Sequence, residues 1–139
     1  MVTLKSKREL EIMRAAGRIV AEVLLILREH CLPGVKTRDL DRIAEEETLK
    51  REARPAFKGY RGYPASLCTS VNQEVVHGIP GNRVLDEGDI VGLDFGVYYK
   101  GYCGDATITV PIGQVAPEVR DLLRVTEESL YLGIEQAVV

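Results

Sequence analysis

Two aspartates in neighbouring strand patterns are the residues of this chain best suited to chemistry. Asp94 lies within the apolar run 90–96, where an unpaired carboxylate is costly, and Asp105 lies in the next strand pattern. If residues 100–101 form a two-residue hairpin turn, side-chain alternation puts both carboxylates on one face of the sheet. They would then be diagonal neighbours, about 7 Å apart between backbones.

Two carboxylates this close repel each other unless a cation lies between them. Their spacing therefore predicts a site for one or two divalent metal ions bridged by oxygen ligands. The register is the weak point, because a slip of one residue would send Asp94 and Asp105 to opposite faces. The alternative is a pair of strand-end aspartates, each hydrogen-bonded locally.

His77 is the second candidate. It ends a short apolar stretch, 74–77, which we predict as a strand, and it precedes the turn-forming residues 78–82. A histidine in this position can point into a cleft, although a surface or hydrogen-bonded core histidine is the alternative. His30, the only other histidine, lies in the last turn of a predicted helix, where the helix dipole favours the imidazolium, so we interpret it as structural.

A glycine-rich segment between these elements supplies possible pocket residues. Tyr60 and Tyr63 could line an apolar pocket or could simply pack against the loop. Cys68 and Cys103 could act as metal thiolates or nucleophiles. Neither cysteine has a base next to it in the sequence, which favours the interpretation as small buried or half-buried side chains.

The elements that would position these residues follow from hydrophobic periodicity and turn signals. A capping box formed by Ser6 and Glu9 opens the first helix, and Thr37 is predicted to cap the second, which Pro55 ends. We predict helices over about 7–31, from 37 onward and from about 117 to the C-terminus, and strands over 67–71, 74–77, 90–99 and 102–110. This order predicts an α+β fold with a mainly antiparallel sheet.

The composition and net charge of the chain argue against several classes of function. The chain has 139 residues, of which 45% are hydrophobic and 28% charged, and a formal net charge of −3. These values predict one globular domain over 1–139 and argue against direct nucleic-acid binding. The longest uninterrupted apolar stretch, 23–27, is far too short to span a membrane, and the charged first residues do not resemble a signal peptide. Three cysteines without a CxxC spacing indicate a reduced, cytoplasmic location.

Taken together, these segments resemble the type I methionine aminopeptidases. The longest matching run is GYRGYPASLCTSVNQEVVHGIP at 59–80. Further matches are GDIV at 88–91, LDF at 93–95 and GD at 104–105, with IMRAAG at 12–17, PGVKT at 33–37 and TEESL at 126–130. The resemblance covers nearly the whole chain, and no single motif carries it.

The resemblance implies half of a pita-bread fold, in which an antiparallel sheet carries its helices on one face. It also implies removal of the initiator methionine from nascent proteins by a pair of divalent metal ions, Co, Mn or Fe. Matched position by position, Asp94 corresponds to a metal ligand, Asp105 to a carboxylate bridging both metals, and His77 to a histidine that contacts the substrate and the scissile amide. The positions that correspond to the methionine side-chain pocket are Phe57, Tyr60, Tyr63 and Cys68. Two positions depart from the family pattern: Phe57 stands where a smaller residue is often found, and Cys103 where histidine or an aromatic is common.

The family's other metal ligands are one histidine and two glutamates from a second half of the fold. No histidine follows His77 in this chain, which is expected to hold the first half plus the first helix of the second. We therefore expect weak metal binding and little turnover by the chain alone, and a homodimer that covers its exposed inner surface.

Two alternatives stay open. The chain could be a non-catalytic half-domain that folds and self-associates, or it could act on proline-containing substrates within the same fold. The pocket segment from Tyr60 to Cys68 favours methionine. The expected partners are N-terminal methionines of nascent peptides, which would allow work near the ribosome without contact to nucleic acid or membrane.

Overall fold

The computed structural model describes residues 3–138. Its helices are α1 (Lys7–His30), α2 (Thr37–Lys50) and α3 (Pro117–Glu135). Its strands are β1 (Arg54–Pro55), β2 (Leu67–Val71), β3 (Ile90–Tyr99) and β4 (Tyr102–Pro111), and a short 3₁₀ turn covers Tyr60–Gly62. The predicted α+β class is confirmed, and each predicted helix is present with ends close to those expected.

The centre of the sheet is β3, to which every other strand pairs antiparallel. β4 runs along one edge of β3, while β1 and β2 share the other edge. The two residues between β3 and β4, Lys100 and Gly101, have φ of 48° and 85°. Positive φ at both central positions is what a type I′ turn, one of the two common two-residue hairpin turns, requires. The turn pairs Tyr99 with Tyr102, and the predicted register of the hairpin is confirmed.

The hydrophobic core lies on one face of this sheet. Alternate residues of β3, from Val91 through Phe95 to Val97, are fully buried there. The apolar stripe of α1, which includes Val20 and Leu27, packs against them, and α2 joins the same cluster. The opposite face carries the even-numbered side chains of β3 and is left for the site. The predicted placement of helices on one face is therefore confirmed for α1 and α2.

The third helix has no buried side chain. Its predicted apolar side is half-buried at Val119 and Leu123 but exposed at Leu122, Leu130 and Ile134. Among the helices described for residues 3–138, none is long and apolar enough to cross a membrane.

Two local predictions were wrong, one at each end of the second helix. Thr37 is the first residue of α2 rather than its cap, a position taken by Lys36. Its hydroxyl instead accepts a hydrogen bond from the N–H of Gly81 at 2.9 Å and lies 3.2 Å from the Gly81 carbonyl oxygen. Helix α2 also ends at Lys50, before Pro55, which lies in β1.

The segment 74–77 is irregular and follows a turn at 72–73, instead of forming the predicted strand. Asn72 and His77 have φ of 56° and 59°, and the Glu74 carboxylate accepts a hydrogen bond from the Val71 N–H at 2.8 Å. The chain thus folds back onto β2 instead of extending along a sheet. Val75 remains 88% exposed, so apolar residues here lack the partner that a strand would need.

The N-terminus of α1 is tied to the sheet by Glu9. Ser6 and Glu9 form the predicted capping box, in which the Ser6 N–H donates to the Glu9 carboxylate at 2.7 Å. The Tyr102 hydroxyl donates to the same carboxylate at 2.8 Å. These bonds favour the ionised form, and the bond from the Ser6 backbone contributes most, so the pKa of Glu9 falls from 4.5 to about 2.

This shift predicts an acid-sensitive contribution to stability. A carboxyl whose folded-state pKa is lowered stabilises the fold above its unfolded pKa of 4.5, and this contribution is lost as the pH falls toward 2. We expect Glu9→Gln to reduce the dependence of the unfolding free energy on pH between 4.5 and 2. Urea unfolding at several pH values measures this. Glu11→Gln, on the exposed surface of the same helix, is the control, and equal slopes for both variants would contradict the assignment.

Candidate metal centre and substrate cleft

An open cleft of about 720 Å³ lies on the face of the sheet away from α1 and α2. Its walls come from the loop before β2, the turn after β2 and the strands β3 and β4. All the residues selected from the sequence line this one cleft: Phe57, Tyr60, Tyr63, Cys68, His77, Asp94 and Asp105. His30 lies elsewhere, at the end of α1, where its Nδ1 is 2.8 Å from the Ile26 carbonyl oxygen.

The floor of the cleft is the carboxylate pair. Asp105 lies opposite Gly96 and Asp94 lies opposite Thr107, so both aspartates share a face, as the hairpin register predicts. The pKa of Asp105 is raised, first by partial burial and then by the negative charge and the hydrogen-bonding contact of Asp94. The two carboxyls therefore interact directly with each other. A cation between them would relieve the repulsion that raises this pKa.

The donor chemistry of the pair fits a divalent metal ion, since such ions accept carboxylate oxygens. The number of donors is small. Within residues 3–138, no group of three or more His, Cys, Asp or Glu side chains is arranged to hold a metal ion. Asp94 and Asp105 can therefore supply part of a metal site, and the described residues do not complete one.

Cys68 forms the wall next to the pair. It lies opposite Asp94 on β2 and is buried. Burial is the main cause that raises the pKa of its thiol, and the charges of Asp94 and Asp105 raise it further, although a bond from Tyr63 opposes them. The side chain is therefore a neutral thiol at physiological pH, which suits it to an apolar wall rather than to nucleophilic attack.

Tyr63 links the two sides of the cleft. Its hydroxyl is 3.1 Å from the carbonyl oxygen of Leu67 and 3.0 Å from that of Gly78, and it can donate to either. Burial, followed by the contact with Cys68, raises the pKa of this phenol, so it keeps the proton that it donates. Tyr63 thus joins the loop before β2 to the turn that carries His77.

His77 is placed by its neighbour Gly78. The Gly78 carbonyl accepts a hydrogen bond from the Thr69 N–H at 2.8 Å, and its N–H donates to the Ser70 hydroxyl at 3.2 Å. His77 itself is exposed at the rim of the cleft, with a left-handed φ of 59°. The exposed imidazole is therefore free to contact a bound ligand while its backbone is held to β2.

Several lining residues were not selected from the sequence. Tyr98 and Arg61 are the larger ones, and the others are Ala56, Gly62, Pro64 and Ile79, whereas Cys103, which also lines the cleft, was already a candidate thiol from the sequence. Tyr98 has the same strand parity as Asp94, so side-chain alternation could have identified it. Its ring lies 4.5 Å from the Arg54 guanidinium, a cation–π contact that holds it at the cleft wall. Arg61 had no such signal, because it lies in an irregular turn with φ of 48°.

Phe57 reaches the floor of the cleft because residue 96 has no side chain. A Cβ atom at Gly96 would lie 2.8 Å from Phe57 Cε1 and 3.3 Å from Ala56 Cβ. Gly96 lies directly opposite Asp105, so the Phe57 ring covers the strand next to the carboxylate pair. The absence of a Cβ thus sets the width of the cleft at this point.

We therefore expect Gly96→Ala to displace the Phe57 ring and to destabilise the fold by about 1–3 kcal/mol, the usual cost of overpacking. Gly92→Ala is a matched control on the same face of β3, where the added Cβ would lie 3.6 Å from the Ser70 carbonyl oxygen, an ordinary contact. Urea unfolding and NOE contacts of the Phe57 ring measure both effects. Equal stability of the two variants would show that Gly96 does not limit the cleft.

A carboxylate pair, a rim histidine and a partly apolar wall around one cleft are features of a metallopeptidase. Residues 11–139 match Metallopeptidase family M24, and the chain belongs to this family. The family implies divalent metal ions, in keeping with the oxygen donors on the floor of the cleft.

Curated relatives that match nearly the whole of this chain are named methionine aminopeptidases. "Methionine aminopeptidase 1" of Bacillus subtilis is 51% identical over 137 residues, which cover 99% of this chain and 55% of the relative. A crystal structure of methionine aminopeptidase from Rickettsia prowazekii matches with a TM-score of 0.92 and 35% identity over 94% of this chain and 53% of that one. The resemblance and the half pita-bread fold predicted from the sequence are confirmed. The chain spans about half the length of the curated relatives it matches.

The same fold also occurs in proteins that are less similar to this chain in sequence. A prolidase from Pyrococcus furiosus matches with a TM-score of 0.79 and 23% identity, over 90% of this chain and 36% of that one. This likeness shows shared architecture and does not favour a proline-specific site.

Proposed function

We propose that this chain forms part of a methionine aminopeptidase, a metal-dependent hydrolase that removes the initiator methionine from nascent proteins. The observation that carries the proposal is the single cleft in which the carboxylate pair, His77 and the pocket residues meet. The relatives named methionine aminopeptidases support it, since they align with 99% of the chain in one case.

In this proposal Asp94 would be a ligand of one metal ion, and Asp105 would be a ligand shared by two. When bound, two divalent ions, Co, Mn or Fe, would polarise the scissile carbonyl and make a bound water more acidic. His77 contacts the substrate and the scissile amide, and it is held in place because its neighbour Gly78 is hydrogen-bonded to β2. Partial burial and then the charge of Asp94 raise the pKa of Asp105, and a cation between the two carboxylates would offset the second of these causes.

The wall formed by Phe57, Tyr60, Tyr63 and Cys68 would hold the methionine side chain. An unbranched thioether fits a narrow apolar pocket and contacts aromatic rings favourably. The neutral thiol of Cys68 and the protonated phenol of Tyr63 keep charge away from this wall. This arrangement supports methionine over proline as the preferred N-terminal residue.

A second candidate function is a non-catalytic half-domain. The observation in its favour is the donor set, because residues 3–138 bring no third ligand to the two aspartates. Hydrolysis of Met-peptides by an assembly that carries the full ligand set, in the presence of Mn²⁺, separates the candidates. Activity that Asp105→Asn abolishes there would support the enzyme, and absence of activity in that assembly would favour the half-domain.

The proposed location is the cytoplasm, which agrees with the three free thiols of Cys31, Cys68 and Cys103. The proposed partner is the N-terminal methionine of a nascent peptide. The net charge of −3 argues against direct binding to nucleic acid, and the proposed work near the ribosome does not require such binding.

The metal assignment predicts weak binding of Mn²⁺ by the chain, because two carboxylates without further ligands hold such ions poorly. We expect Asp105→Asn to lower the affinity at least ~10-fold, since even outer-sphere changes cost this much in metal sites. Isothermal titration calorimetry measures the affinity. Asp121→Asn, on the exposed surface of α3, is the control and should leave it unchanged.

Tight binding of two ions by the monomeric chain would contradict this assignment. So would equal affinities of the Asp105→Asn and Asp121→Asn variants.

The pocket assignment predicts that a bulky side chain at position 68 excludes methionine. In an assembly that carries the full ligand set, Cys68→Phe should lower kcat/KM for Met-peptides by about 1–3 kcal/mol of transition-state binding. Cys31→Ala is the control, because Cys31 is buried in the core on the other face of the sheet. An unchanged kcat/KM for Cys68→Phe would show that this wall does not hold the methionine side chain.

A further inference from the structure

The side of β2 that faces away from β3 is held by side-chain carboxylates. In an antiparallel pair, alternate residues direct their N–H groups away from the partner strand. In β2 these include Leu67, whose N–H donates to Asp41 at 2.9 Å, and Val71, whose N–H donates to Glu74 at 2.8 Å. Glu74 comes from the adjoining turn, whereas Asp41 comes from α2, so Asp41 ties the strand to a separate element.

The Asp41 carboxylate holds the residues at which β2 begins. Its Oδ1 accepts hydrogen bonds from the Ser66 N–H at 2.8 Å and from the Leu67 N–H at 2.9 Å. Ser66 and Leu67 are fully buried, and a buried N–H without an acceptor is costly. Burial raises the pKa of the Asp41 carboxyl, while the two N–H groups oppose this rise because they bind the ionised form. The start of β2 therefore depends on this one oxygen atom.

The same residues lead directly to the cleft. The Tyr63 hydroxyl lies 3.1 Å from the carbonyl oxygen of Leu67 and 3.0 Å from that of Gly78, next to the rim histidine. Cys68, which follows Leu67 in β2, lines the cleft beside the carboxylate pair. Asp41 thus binds the N–H of a residue whose carbonyl oxygen contacts one pocket side chain and whose neighbour is another.

The loop before β2 needs such anchors. Three of its residues have left-handed φ angles, which are 85° at Gly59, 48° at Arg61 and 83° at Gly62. A non-glycine residue such as Arg61 keeps this conformation only where surrounding contacts hold it. The contact between Tyr63 and Leu67 is one of these, and Asp41 sets the position of Leu67.

We propose that Asp41 is a positioning residue for the methionine pocket, because its bonds to Ser66 and Leu67 fix the start of β2 and thereby the placement of Tyr63 and Cys68. The proposal rests on the proposed function, which assigns these two side chains to the pocket. Asp41 acts through the backbone, since it lies on α2 and the cleft is on the face of the sheet away from that helix. The role requires an acceptor oxygen at this place and does not require a negative charge.

The geometry therefore predicts a specific order of variants. Because both N–H groups bond to the same oxygen, the side-chain carbonyl in Asp41→Asn can accept both bonds without the charge. Asp41→Glu keeps the charge but moves the oxygens by one methylene, and Asp41→Ala removes the acceptor. We expect Asp41→Asn to behave like the unaltered protein, and the other two variants to disturb the pocket.

Glu45→Ala is the matched control. Glu45 lies one turn further along α2, and its carboxylate accepts hydrogen bonds from the Lys58 side chain at 2.8 Å instead of from the backbone of β2. An exposed ion pair of this kind contributes little to the fold. We therefore expect Glu45→Ala to leave the pocket unchanged.

Amide hydrogen exchange followed by NMR tests the contact in the chain itself, without any need for activity. In Asp41→Ala and Asp41→Glu we expect the amides of Ser66 and Leu67 to exchange faster with solvent and the ring resonances of Tyr63 to shift. Asp41→Asn and Glu45→Ala should leave both signals as they are in the unaltered chain.

Steady-state kinetics of an assembly that carries the full ligand set test the effect on the pocket. For Asp41→Ala and Asp41→Glu we expect the ratio of kcat/KM for Met-peptides to that for Leu-peptides to fall by about 10-fold, the lower end of what a hydrophobic pocket gives for one methylene. A variant that only unfolds in part has less active protein, which lowers the rates for both peptides and leaves this ratio unchanged.

A ratio that stays unchanged in Asp41→Ala overturns the proposal, and so does a ratio that Asp41→Glu preserves and Asp41→Asn loses. An equal fall in Glu45→Ala also overturns it, since any contact between α2 and the loop would then suffice. If Asp41→Ala does not fold, the comparison of Asp41→Asn with Asp41→Glu decides. If the unaltered assembly hydrolyses no Met-peptide, the proposed function fails and the pocket role with it, whereas amide exchange still decides whether Asp41 holds the start of β2.

Discussion

The structure depends on the register of one hairpin. Because Lys100 and Gly101 form a turn with positive φ at both residues, Gly96 lies opposite Asp105 and the two aspartates face the same side. A shift of one residue would send one aspartate toward α1 and into an apolar core. The turn therefore decides at once which face is buried and whether the carboxylates meet.

The burial of the opposite face makes this register stable. Val91, Phe95 and Val97 are fully buried against the helices, and a slip would expose them all together. Hydrophobic packing on one face can thus hold two like charges close on the other, where they alone would move apart. The electrostatic repulsion between the two carboxylates acts only near residues 94 and 105. The hydrophobic packing that keeps the hairpin in register extends along the whole of β3.

Sequence patterns identified residues that line one cleft because these residues lie on regular elements or in a long recognisable run. Asp94 and Asp105 follow strand alternation, and Cys68 lies on β2 opposite Asp94. The failures have two physical causes. The Thr37 hydroxyl bonds to Gly81, 44 residues away, and no local rule for capping contains that partner. At 74–77 and at Arg61 the chain instead adopts left-handed backbone angles, which the residue types there do not signal.

The two faces of the sheet also explain why the chain folds although residues 3–138 bring only two carboxylates to the candidate metal site. The apolar core is assembled from α1, α2 and the sheet and needs nothing from the cleft. The cleft face instead carries groups that can bind a ligand: a carboxyl with a raised pKa and an exposed imidazole. Stability and function are therefore separated by strand parity, with odd-numbered residues of β3 serving the core and even-numbered ones serving the site.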